Sequence, residues 1–154
     1  MFIFGFVIFL ISMILTIVLT GGAILDYMNL PTLLFITLPL VGVLTATKSF
    51  KVFAGGLLAV INPYRPLPEE LRGQAASLFR LLSKTTAIVS VMLLLIMFIN
   101  ICMGLDLSYP DIRSAILVNI AASLVQPFYG MILIVGVFEP VVFNLKKRRD
   151  SERK

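Results

Sequence analysis

Histidine is absent from this chain and cysteine occurs once, at Cys102. A disulfide framework therefore has no second thiol, and a zinc or haem centre has no ligand set. Charge is scarce at 14% of residues, and the acidic side chains form no cluster. Nothing resembles a phosphate-binding loop, a dinucleotide fingerprint or a nucleophile constellation. With neither an acid–base pair nor a metal set, no cofactor is expected and an enzyme is not the expectation. What the chain has instead is apolar bulk. Hydrophobic residues make up 59% of its 154 positions, and its mean hydropathy is +1.03. A soluble domain does not tolerate that composition.

A helix needs ~20 mostly apolar residues to cross a bilayer. Four segments qualify, at residues 2–20, 31–47, 86–105 and 112–143. The first lacks a basic n-region, and Thr20-Gly21-Gly22-Ala23 is only a passable cleavage site, so it reads as a retained span. The expectation is an all-α membrane protein in one domain, residues 1–154, with two helical hairpins.

The basic residues orient it. Of 13, twelve lie either between spans two and three, from Lys48 to Lys84, or after span four, from Lys146 to Lys154. Only Arg113 lies on the other side. The positive-inside rule puts the loop 48–84 and the basic tail 144–154 in the cytoplasm, with both termini. The turns at Asp26 and at Asp106 and Asp111 then face outward. The net charge of +5 reflects this topology and gives no support to nucleic-acid binding. Contact of the tail with membrane lipid is compatible with it.

Local signals refine the plan. Gly5, Ser12, Thr16 and Thr20 share one flank of span one, which suits close helix packing. Asp26, Asn29 and Pro31 mark a tight turn into span two. Pro39 and Pro127 should kink spans two and four, with Thr37 placed to compensate at the first. In the loop, Pro68-Glu69-Glu70 begins a helix. Leu71, Ala75, Leu78 and Leu82 give it one apolar stripe, predicting a short amphipathic cytoplasmic helix between spans two and three. Glu139, near the basic tail, reads as a satisfied surface charge.

Within the spans, Asn119, Ser123, Gln126 and Gly130 recur three or four residues apart and share a helix face. Asn100 is the one strongly polar side chain in the body of span three. Such residues have no use toward lipid; they form either a subunit-packing face or an ion path.

Three passages resemble the MotA/TolQ/ExbB superfamily, and within it the flagellar stator subunit MotA. They are Gly21-Gly22 followed by Tyr27, Asn29, Pro31 and Thr32; Asn62 through Glu70 and on to Lys84; and Ser123-Leu124-Val125-Gln126-Pro127-Phe128-Tyr129-Gly130 ending at Pro140. The resemblance implies a multi-pass subunit of the bacterial inner membrane. It also implies homo-oligomers or MotA-like neighbours, with a single-span MotB-like partner whose carboxylate relays ions.

The departures qualify this. The cytoplasmic insertion is too short for a rotor-gripping domain. The family's final-span hydroxyl falls on Pro127, and its span-three threonine is lost within Asn100-Ile101-Cys102-Met103-Gly104. Thr85 and Thr86 stand where a proline begins span three. Loss of both hydroxyls argues against ordinary ion conduction, with Gln126 and Asn100 the available substitutes. The expected function is a reduced or accessory stator-type subunit in an ion-driven motor complex. The alternative is a small oligomeric transporter, suggested by the opposed Pro39 and Pro127, or a membrane scaffold unrelated to motility.

Overall fold

A computed structural model describes residues 2–62, 67–104 and 112–152, which are helical almost throughout and contain no strand. Four helices are long and apolar enough to cross a membrane. The chain is an all-α membrane protein. Its helices are α1 (Phe2–Leu19), α2 (Leu30–Ala46), α3 (Phe50–Ile61), α4 (Glu69–Met103), α5 (Ile112–Leu133) and α6 (Glu139–Glu152). A 3-10 turn at Ile24–Tyr27 joins the first pair, and a π-helical turn at Ile134–Phe138 joins the last. The turn carrying Asp106 and Asp111 lies outside the described residues.

α1 is apolar on every side and buries none of its residues within the chain. That is how a helix solvated by lipid reads. Its partner α2 starts on a side-chain cap: Asn29 Oδ1 accepts the Thr32 amide at 3.2 Å, with Pro31 in the first turn. Thr32, Ile36, Leu40 and Leu44 form its buried stripe at strict four-residue spacing. The helix runs through Pro39. Thr37 does not compensate as expected. Its hydroxyl donates to the Leu33 and Leu34 carbonyls at 2.9 and 3.2 Å, whereas the proline frees that of Phe35.

α2 ends in a Schellman cap. The Ser49 amide reaches Leu44 O at 3.0 Å and the Lys48 amide reaches Thr45 O at 3.1 Å. Lys48 occupies the left-handed position of this cap, at φ 51°, where glycine is usual.

Two expectations about the loop 48–84 need correction. First, it holds a second helix, α3, that the sequence pattern did not reveal. Gly55 and Gly56 depress helix propensity there. Gly56 nevertheless lets α3 approach α4 closely, since an added Cβ would lie 2.9 Å from both Ala75 Cβ and Phe79 Cε2. Second, the amphipathic helix is not a separate short element. It continues without a break into span three, giving a 35-residue α4 about 50 Å long. Ala75, Leu78 and Leu82 are buried as the stripe requires, but Leu71 is exposed and Arg72 takes the buried position.

Span four is likewise not one continuous α-helix. The π turn interrupts it, with the Glu139 amide bonding back to Ile134 O just ahead of Pro140. Pro140 offers no amide to the next position, and a one-residue change of register suits that gap. The basic tail is helical as far as Glu152.

The hydrophobic core lies toward the basic end. Phe79 is fully buried at its centre, with the Phe53 ring stacked at 5.2 Å and the Phe138 ring tilted at 6.0 Å. Leu40 and Leu44 of α2, Val60 of α3 and Val141, Val142 and Leu145 of α6 close around it.

Candidate functional site

α4 and α5 run antiparallel, because Ser83 meets Glu139 while Ser90 meets Gly130. Their seam carries polar residues from both helices. On α4, Ser83, Thr86 and Ser90 recur at i, i+3 and i+7, and all three are buried. On α5, Ser123 is fully buried, Gln126 is 3% exposed, and Gly130 is buried. Three of the four residues expected to share a face therefore point into the protein. Asn119 does not; it is exposed.

The tightest approach is at Gly130. A Cβ there would collide with Ser90 Oγ, and would sit 3.0 Å from Ser90 Cβ and 3.6 Å from Thr86 Cγ2. Only glycine allows the two helices this contact. Thr86 and Ser123 turn their hydroxyls back to carbonyls of their own helices, Leu82 O at 2.8 Å and Ile120 O at 2.7 Å. Ser90 Oγ and Gln126 Oε1 are different: both are buried with no hydrogen-bond partner. Two unsatisfied polar atoms in one seam cost about 1–3 kcal/mol each. They are a cost that pure packing does not require.

At the basic end of the seam, Ser83 Oγ donates to Glu139 Oε1 at 2.9 Å. Glu139, an exposed carboxylate, thus accepts a hydroxyl across the helix pair. α5 runs as a helix through Pro127, and the break comes later, at the π turn.

At the other end the first hairpin stops short. Tyr129 donates to Tyr27 O at 2.6 Å, and its oxygen accepts the Asn29 amide at 3.4 Å. Gly21 makes the preceding turn at φ 81°. The turn therefore meets α5 roughly 25 Å from that helix's start at Ile112. Beyond that contact, Val118, Ala121 and Ala122 of α5 line a cavity together with Gly22, Asp26 and Tyr27.

Asn100 and Asn119 lie on the distal halves of α4 and α5. Counting outward from the Ser90–Gly130 contact, each is about 15 Å along its helix, so they share one height. Both are exposed. Asn100 was expected to bond a neighbouring helix or line a path together with the α5 stripe; among the described residues of this chain it has no side-chain hydrogen bond to another helix. Sequence reasoning passed over Ser83, Thr86 and Ser90, although their helical spacing mirrors that of the α5 stripe. Tyr27 and Tyr129 carried no signal of contact, being about a hundred residues apart.

No family model, no curated protein and no solved structure matches this chain.

Proposed function

We propose that this chain is a MotA-like integral subunit of a stator-type, ion-driven membrane complex, in a reduced or accessory form without a rotor-gripping domain. It sits in a bacterial inner membrane with both termini cytoplasmic. It assembles with further copies or MotA-like subunits, and with a single-span MotB-like partner. The observation that carries the assembly claim is the pair Asn100 and Asn119. Two amide side chains at one height, both exposed on membrane helices, need a protein or aqueous partner that none of the other described residues supplies.

Support for the particular family comes from where its motif residues lie. The Gly-Gly turn with Tyr27 and Asn29 and the final-span Tyr129-Gly130 are far apart in sequence, yet they bond directly. Tyr129 fixes the first hairpin against α5 while Gly130, its neighbour, fixes α4 against the same helix.

The decisive experiment is purification from the native membrane with identification of co-purifying proteins. Recovery of MotA-like or MotB-like chains supports the proposal, and absence of both sinks it. α2 and α5 run as helices through Pro39 and Pro127, and substrate-dependent uptake into liposomes holding only this chain would favour the transporter reading. An unrelated scaffold is the outcome if the chain purifies only with itself.

A further inference from the structure

α3 is apolar on both of its faces. Gly56, Ala59 and Val60 are buried, and Phe53 stacks on Phe79 at 5.2 Å. The opposite face carries Phe50, Ala54 and Leu58 at four-residue spacing, and all three are exposed, Phe50 at 48% and Leu58 at 41%. Lys51, also exposed, borders this stripe and is the one charged residue of the helix. A helix whose outer face met water would carry polar side chains there.

Height says what meets the stripe instead. Arg80 and Lys84 are exposed one turn apart on α4, and from Thr85 to Met103 that helix carries no charge. The basic edge of the apolar layer therefore lies at this turn. Phe79, on which Phe53 stacks, adjoins Arg80, and a Cβ added at Gly56 would meet the same ring at 2.9 Å. Phe2 of the lipid-solvated α1 packs against this core too, as do Val52 and Leu57 of α3. α3 thus sits where acyl chains give way to headgroups, with its stripe turned away from the bundle.

Charge agrees with that position. No acidic residue occurs between Asp26 and Glu69. Glu70 approaches the start of α3 along a groove with Thr47, Ser49 and Val52. Val52 is two residues from Ala54 and so lies on a different face from the stripe. A lysine beside an apolar stripe, on a helix without carboxylates, suits anionic headgroups.

We propose that α3 is a membrane-interface helix. Phe50, Ala54 and Leu58 seat in the acyl–headgroup boundary at the basic end of the bundle, and Lys51 faces anionic lipid. The proposal does not rest on membership of any motor complex.

The test uses the full chain carrying Cys102→Ser, reconstituted in phosphatidylcholine liposomes with and without phosphatidylglycerol. A nitroxide is attached at Ala54→Cys, at Leu58→Cys and, as a reference, at Glu70→Cys. Electron paramagnetic resonance then measures its collisions with oxygen and with a water-soluble nickel chelate. Labels at Ala54 and Leu58 should favour oxygen and lie about 5–10 Å inside the headgroup boundary, while the label at Glu70 should favour nickel. With phosphatidylglycerol present, Lys51→Gln should move the Leu58 label toward water; in phosphatidylcholine alone it should not. Nickel access at Ala54 and Leu58 equal to that at Glu70 overturns the proposal by showing a face in water. Low collision with both reagents overturns it in favour of a second copy or another protein covering the stripe. A shift on Lys51→Gln that is equal in the two lipids, or absent from both, overturns the preference for anionic lipid. Should Leu58→Cys fail to fold, the Ala54 label carries both readings.

Discussion

The phenol of Tyr129 donates to the backbone carbonyl of Tyr27 at 2.6 Å, joining the middle of the last membrane helix to the turn of the first hairpin. This bond sets the height of one hairpin against the other. It therefore fixes where along α5 the turn of the first hairpin is seated. Removing the hydroxyl alone, in Tyr129→Phe, should cost about 1–2 kcal/mol in reversible unfolding. It should also increase labelling of a cysteine placed at Ala23. Unchanged labelling would show that the turn is held by other contacts.

At the α4–α5 crossing, Gly130→Ala should destabilise by about 1–3 kcal/mol, because the new methyl meets Ser90. Ser90→Gly in the same chain should recover most of that loss, as it removes the opposing atoms. A double-mutant cycle measures the coupling. Additive effects would mean that the two helices adjust elsewhere.

Gln126 and Asn100 should respond in opposite ways. Gln126→Leu removes a buried acceptor with no partner, so stability and assembly should hold or improve. If the seam conducts, ion flux into liposomes should fall while assembly stays intact. Asn100→Leu and Asn119→Leu should weaken oligomers, as judged by light scattering or crosslinking, with little change in monomer stability. Oligomers that persist in the double variant would remove the observation behind the assembly proposal.

The cap of α2 gives a test independent of function. Lys48 adopts the left-handed conformation at an exposed site. Lys48→Gly should raise stability by about 1 kcal/mol, measured by thermal or denaturant unfolding. A loss would mean that the lysine side chain contributes more than its backbone costs.

Much of this architecture is local and could be read from the residues. Spans follow from apolar length, the start of α2 from Asn29 and Pro31, and the shared face of Ser123, Gln126 and Gly130 from helical spacing. Periodicity reports which residues share a face, but it does not report how far along the helix a neighbour extends. Asn119, in the same stripe as Ser123 and Gln126, is nevertheless exposed.

α3 was hidden for a related reason. Gly55 and Gly56 count against a helix when local propensity is all that is weighed. Gly56 becomes favourable only once Ala75 and Phe79, on another helix, occupy the space a side chain would take. The exchange of Leu71 for Arg72 at the buried position is of the same kind, set by where α3 and α6 pack. The sequence by itself determined an apolar, four-span helical chain with its positive charge gathered at one end, because those properties depend on composition and nearest neighbours. Tertiary structure alone decided the continuity of α4, the π turn before Pro140, the unsatisfied pair Ser90 and Gln126, and the bond from Tyr129 to Tyr27. Each of these depends on atoms brought together from distant parts of the chain, and on the height at which they meet.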